Sequence, residues 1–246
     1  AVPRHGSSYF IGTGIEINGT GNGVTIVGNK IGLNANDQPV LGSVTGITTI
    51  NYYLGPVQNV VIGGTAPGAG NEIAGHDQEG IRVANTYSGV RIAGNSIHDN
   101  GSVGIDLITP LFQTGVTPND PLDVDSGGNG LQNFPVLLSA NRAGGTLRVM
   151  GTLNSNETSS FTIELFASPQ CDASGFGEGQ VYLGSTTVST DAAGDAAFDV
   201  TLAAAVALGW SVTSTATADA SASTSEFSAC VSVQDAPAAG TPFCFG

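Results

Sequence analysis

The sequence predicts an all-β chain in two parts, a β-solenoid followed by an antiparallel β-sandwich of Ig-like type. Three observations predict it. A short unit, G-I-x-[VL] then G-V-x-I then G-N-x-I, recurs early in the chain, with G-I-x-x fragments opening at Gly14, Gly46, Gly80 and Gly104. Each fragment alternates apolar with polar or variable residues, the period-2 signal of a half-buried strand. Beyond Phe134 that grammar stops, and seven strand-like runs separated by turn signals take over.

The clearest coil is Gly80 to Leu107, GIRVANTYSGVRIAGNSIHDNGSVGIDL. Gly and Asn between its fragments supply left-handed or bulged corners that other residues adopt only at a cost. The second fragment recurs as Val24-Ile26, Val60-Ile62 and Val90-Ile92, the third at Gly28-Ile31, Gly70-Ile73 and Gly94-Ile97. The opening fragments return after 32, 34 and 24 residues, one coil plus insertions at Asn34-Thr45, Tyr52-Val57 and Gly63-Ala69. Repeats at this period indicate a solenoid, and strand chemistry without helix periodicity makes it a β-solenoid. The repeat aligns Glu16, Thr48, Arg82 and Asp106 in one outward column, Lys30, Glu72 and Ser96 in another, and Asn29, Asn71 and Asn95 at one corner. Stacked amides there can bond along the axis and satisfy corner backbone groups.

On these residues, 10–133 resemble the right-handed parallel β-helix repeats of secreted bacterial proteins, the architecture of the pectate-lyase superfamily. The phrases Ile62-Gly-Gly-Thr-Ala-Pro-Gly-Ala-Gly-Asn-Glu-Ile73 and Leu131-Gln-Asn-Phe-Pro-Val136 resemble large β-helix surface proteins. The resemblance covers about half the chain and implies a β-helix of about four coils, not an activity, because this architecture hosts many functions. The expected boundaries are 1–133 for the β-helix with its lead-in and exit loop, 134–235 for the sandwich and 236–246 for a tail.

Composition excludes several classes. Only 11% of the 246 residues are charged, and the net charge is −14. Six Lys plus Arg cannot form a phosphate-neutralising stripe, so nucleic acid is not an expected partner. No apolar run is long enough to span a bilayer. No signal peptide opens the chain, and Ala1 is expected to follow a removed one.

At the start, a solenoid's first coil exposes unpaired strand edges and an open apolar end that normally needs a cap. No capping helix is visible, so Phe10 and Ile11 are expected to meet another surface. Within the coils, Arg82 beside Asp106 reads as a surface ion pair or as a catalytic pair. The resemblance implies two chemistries for the second reading. Lyases of this architecture use an acidic Ca²⁺ cluster with an Arg or Lys base, and hydrolases use several Asp residues around the scissile bond. His76-Asp77 and His98-Asp99 fall just beyond third strands and offer further candidates, with Glu79 nearby; such pairs also form turns. The Asp-Asp and Gly-His-Gly signatures of the hydrolases are missing. Exposed Tyr52, Tyr53 and Tyr87 would instead stack on sugar rings.

The exit loop Asn119 to Asn133, NDPLDVDSGGNGLQN, sets Asp123, Asp125 and Asn129 at spaced positions with Asp120 before them. Hard cations want such oxygen rings, so structural Ca²⁺ is one reading and a solenoid-closing linker the other.

In the second part, strands are expected at Val136-Ser139, Thr146-Leu153, Phe161-Ser168, Val181-Val188, Ala197-Leu202, Trp210-Ala218 and Glu226-Val233. Asp191-Ala-Ala-Gly194 reads as a hairpin turn. The segment resembles the Ig-like modules that follow β-helices in secreted bacterial proteins, Ser225-Glu-Phe-Ser-Ala-Cys230 most of all. Cys171 and Cys230 can pair across a long loop, which fits an oxidising extracytoplasmic compartment. Cys244, in Phe243-Cys-Phe245, forms an apolar terminal hook suited to intermolecular contact.

Together these expectations describe a non-enzymatic secreted or surface-displayed bacterial protein, structural or adhesive, self-assembling head to tail. The alternatives are a carbohydrate-binding module recognising an extracellular polysaccharide on the β-helix face, and a polysaccharide lyase or glycoside hydrolase.

Overall fold

The computed structural model describes residues 12–40, 43–51 and 55–237. The chain is all-β there, with two short 3-10 turns at Pro121–Asp123 and Gly128–Leu131. The first ten strands are β1 (Thr13–Asn18), β2 (Asn22–Ile26), β3 (Lys30–Ile31), β4 (Thr45–Ile50), β5 (Gln58–Gly63), β6 (Glu72–Ala74), β7 (Ile81–Val83), β8 (Val90–Ala93), β9 (Ser96–His98) and β10 (Ile105–Leu107). Every third strand joins the same sheet. The orders are β1-β4-β7-β10, β2-β5-β8 and β3-β6-β9, all parallel. Three parallel sheets that return in this way are compatible with a β-helix.

The register pairs the residues that the sequence repeat aligns. Ile15, Ile47, Ile81 and Ile105 follow one another in the first sheet, as do Glu16, Thr48, Arg82 and Asp106. Ile26, Ile62 and Ile92 stack in the second sheet, and Ile31, Ile73 and Ile97 in the third. A one-residue slip would turn each isoleucine outward, so burial locks the register. These columns form one apolar core, with Ile47, Ile62, Ile73, Ile81 and Ile97 fully buried.

The asparagine corner is a continuous ladder. Asn29 donates its backbone N–H and its Nδ2 to Asn71 Oδ1, both at 3.0 Å, and Asn71 donates in the same way to Asn95 Oδ1 at 3.0 and 2.9 Å. The amides of Asn71 and Asn95 also donate to the carbonyls of Ile26 and Ile62, both at 2.8 Å. Gly94 has φ +59°, and a Cβ there would lie 2.5 Å from the Gly64 carbonyl oxygen, so this corner requires glycine.

Seven strands follow: β11 (Val136–Ala143), β12 (Thr146–Asn154), β13 (Ser160–Ser168), β14 (Val181–Ser189), β15 (Asp195–Leu202), β16 (Ser211–Ala218) and β17 (Val231–Asp235). They form one sheet ordered β14-β13-β16-β17-β11-β12-β15, antiparallel except for β11 with β17. The edge strands β14 and β15 approach each other, so the sheet curls almost into a barrel around a second apolar core. The strand expected over Glu226-Val233 is shorter and later, Val231–Asp235. Residues 223–228 turn inward instead, where Glu226 and Ser228 serve as buried hydrogen-bonding groups. Cys171 and Cys230 form a disulfide, with Cα atoms 6.0 Å apart, that closes a 59-residue separation.

The two cores meet at a seam. Phe166 and Phe227, from the C-terminal sheet and the segment before β17, pack edge to face at 5.3 Å and belong to the core of the coils. Ile97 and Gly179 exchange backbone hydrogen bonds, both at 2.9 Å, which extends the third sheet beyond β9. Thr224 Oγ1 accepts from the Ile92 amide at 2.9 Å, and Ser223 Oγ from Gly89 at 3.1 Å. The last coil is thereby sealed, whereas β1, β2 and β3 stand at the outer edge of their sheets among the described residues.

Candidate functional site

The outward column of the first sheet runs from exposed Glu16 through Thr48 and Arg82 to Asp106, which is completely buried. Period-2 alternation sends these side chains away from the isoleucine core. Arg82 Nη2 donates to Glu79 Oε1 at 2.8 Å, and Thr45 Oγ1 donates to Glu79 Oε2 at 3.1 Å. The expected Arg82–Asp106 ion pair is thus an Arg82–Glu79 pair, because Glu79 sits three residues earlier on the same turn. Arg82 Nε and both Asp106 oxygens have no well-formed hydrogen bond, although the Gly115 amide and the Glu79 carboxyl lie near Asp106. Burial, then the Glu79 charge, pushes the Asp106 carboxyl up to about 7, against the pull of Gly115 and Arg82.

The chain beyond β10 folds back over Asp106. Glu226 joins it there, with its two oxygens accepting from the amides of Leu107 at 2.9 Å and Thr117 at 2.8 Å. Beside this lid the column opens into a groove of about 340 Å³. Thr48, Asn51, Arg82, Asn85 and Thr114 offer hydroxyl, amide and guanidinium groups, and Phe112 forms part of the wall. The neighbouring Leu111 is 79% exposed and Phe112 75%, with Phe112 held at φ +57°. Sequence reasoning missed Phe112, because nothing in residues 109–118 repeats.

Tyr87, expected as an exposed sugar platform, is fully buried. Its ring fills the interior of the coils, and its hydroxyl donates to the carbonyls of Ile17 at 3.1 Å and Ile50 at 2.9 Å. Tyr52 and Tyr53 lie outside the described residues, as do Phe10, Ile11, Phe243, Cys244 and Phe245.

The two His-Asp pairs do not occupy equivalent levels. His98 pairs in register with Ala74, while the His76 amide donates to Asn100 Oδ1 at 3.2 Å, so the pairs are two residues out of step. His76 is buried, its Nδ1 3.2 Å from Ser43 Oγ and its Nε2 unpartnered, and burial lowers its pKa. His76, Asp77 and Asp99 line a shallow recess of about 650 Å³. His98 sits between Asp99 Oδ2 at 2.8 Å and Glu72 Oε1 at 3.6 Å, and faces an adjoining cleft of about 620 Å³ shared with Glu178, with Asp99 and Asn100 lining both.

In the exit loop, Asp120, Asp123 and Asp125 bring one carboxylate oxygen each within 4.8 Å of one another, an arrangement that could hold a metal ion. Leu122 and Asp123 adopt left-handed conformations, φ +63° and +56°, which fold the loop tightly enough for the three to converge. Asp123 also accepts from the Asn133 amide at 2.8 Å and from Ser155 Oγ at 3.1 Å. Burial raises its pKa to about 6, helped by the charges of Asp125 and Asp120. One oxygen each of Asp120 and Asp125 lacks a partner. Asn129 works elsewhere: its amide is buried against Val90 and Thr224, accepting from the Val90 N–H at 2.9 Å and donating to both carbonyls at 2.8 Å.

No helix among the described residues is long and apolar enough to cross a membrane. The disulfide hints at an oxidising, extracellular setting. No protein-family model matches the chain, and no curated protein is significantly similar to it.

Proposed function

We propose that the chain is a non-enzymatic extracellular adhesive protein that holds a polysaccharide in the groove beside Arg82 and Phe112. In this reading residues 12–133 are a short right-handed parallel β-helix and residues 134–235 an Ig-like sandwich that closes it. The observation that carries the reading is the contrast along one column. The groove offers hydroxyls, amides, a guanidinium and an exposed ring, the mixture that binds sugar hydroxyls and stacks on sugar faces. The carboxyl best placed for acid–base chemistry, Asp106, is instead sealed beneath the returning chain, out of reach of a substrate.

Screening the whole protein against plant and microbial polysaccharides, for binding and for released product, tests this. Stoichiometric binding without product is expected, weakened about tenfold by Phe112→Ala through lost stacking. Product formation would overturn the non-enzymatic reading, and failure to bind any polysaccharide would overturn the adhesive one.

A second reading, head-to-tail assembly, is favoured by the outer edges of β1, β2 and β3, where Ile15 and Val24 are only partly buried. We also assign Ca²⁺ to the Asp120–Asp123–Asp125 group, whose all-oxygen donor set suits a hard cation.

A further inference from the structure

Three glutamates add to the seam between the last coil and the C-terminal sheet, at the coil's two later corners and on β10. Glu164, on β13, accepts from the Gly94 amide at 2.9 Å, at the corner between β8 and β9. Glu178, before β14, accepts from the Asn100 backbone amide at 3.1 Å and its side-chain amide at 2.8 Å, between β9 and β10. Glu226, after β16, accepts from the Leu107 amide on β10 at 2.9 Å. The last coil has no following coil to take these N–H groups, and orphaned buried donors are costly. The three carboxyls stand in for the missing strands. Their exposures are 1%, 9% and 2%.

We propose that Glu178 and Glu226 are an alkali-released clasp, which holds the C-terminal sheet on the coils while protonated and loosens when ionised, with Glu164 as a third contact that Arg91 faces. A buried carboxylate without a matched cation is expensive, and the neighbourhoods supply little compensation. Glu226 faces Asp106, with Glu79 beyond it, and Arg82 is already paired with Glu79. Glu178 faces Asp172 and the Asp99 backbone, with His98 lining the same cleft. Glu164 faces Arg91, which partly offsets its burial, and Tyr182.

Burial is the main cause of the upward shift in all three, opposed by the amide hydrogen bonds, to about 7 for Glu178 and about 8 for Glu226. A carboxyl raised in the folded state contributes stability that is complete below its unfolded value of 4.5. That contribution is lost as pH rises through 7 to 8. Exposed carboxylates are already ionised at pH 6, so apart from the histidines the window from pH 6 to 9 belongs to Glu178, Glu226 and the Asp106 that Glu226 faces.

The test is amide hydrogen exchange by NMR on the whole protein, expressed as protection factors at pH 6 and pH 9. Asn100 and Leu107 are expected to lose protection by more than about tenfold, while Ile47 and Ile163, deep in the two cores, hold theirs. In the double variant Glu178→Gln, Glu226→Gln, which keeps one acceptor oxygen at each position but cannot ionise, the Asn100 and Leu107 amides should stay protected at pH 9, although Thr117 gives up its acceptor. Equal loss in wild type and variant would overturn the clasp. If the double variant does not fold, infrared spectroscopy of the Asp106→Asn, Asp123→Asn protein, which removes the two other raised carboxyls, decides. A protonated-carboxyl band at pH 6 that disappears by pH 9 supports the clasp, and its absence at pH 6 overturns it.

Discussion

Residues in this protein act as substitutes for backbone that is elsewhere. Asn71 is the plainest case, with its oxygen serving Asn29 while its amide serves Ile26 and Asn95. It is 1% exposed, whereas Asn29 at the start of the ladder is open to water. Asn71→Ala should cost about 3 kcal/mol in urea unfolding, because it strands several buried groups together. Asn29→Ala should cost about 1 kcal/mol or less, since water replaces what is lost; equal costs would show that the ladder is not what stabilises the corner. This column was legible in the sequence because the G-N-x-I fragment repeats at one position of each coil. Tyr87 was not legible, since a lone tyrosine in a variable loop carries no periodic mark of facing inward. The seam glutamates hid for a different reason. Each lies 70 to 119 residues from the amide it serves, so no local pattern ties them to it.

At the level of elements, strands with a repeat could be placed from the sequence, and segments without one could not. The pairing of β4, β7 and β10 follows from spacing alone, whereas the fold-back of residues 108–120 over Asp106 does not. The Arg82–Asp106 expectation failed here: column alignment is correct, yet a residue three positions earlier captured the guanidinium. The exit loop belongs to this scale too, because its three carboxylates converge through backbone turns. Saturating Ca²⁺ should raise the thermal midpoint by about 5–10 °C over EDTA, following a binding stabilisation of about 2.7 kcal/mol at a hundredfold excess over Kd. The gain should shrink at pH 5, where Asp123, with a metal-free pKa of about 6, resists giving up its proton. It should vanish in Asp123→Asn. Identical midpoints in Ca²⁺ and EDTA would remove the ion from the loop.

For the whole molecule, the two ends of the coil stack differ. One is closed by the C-terminal sheet, with two phenylalanines and three carboxyls in the seam; the other presents the edges of β1, β2 and β3 among the described residues. In the proposed assembly such an asymmetric pair of ends would meet heterologously, a contact that closes as a ring or runs on as a filament. Light scattering and negative-stain imaging in physiological salt should therefore find species larger than 24.6 kDa, and a monodisperse monomer at high concentration would sink the assembly reading. Net charge of −14 works against close approach of copies, so association should strengthen as salt screens it.

The asparagine ladder also bears on how such a chain can change length over evolutionary time. Each rung bonds only to the rung before and after it, and neither the seam glutamates nor the exit loop touches the first two coils through it. Duplicating one coil in the middle would insert a rung without disturbing either end, lengthening the stack of strands by about 4.8 Å each time. The protein is in that sense a ruler graduated in coils, whose reach can be adjusted while its closing piece stays as it is.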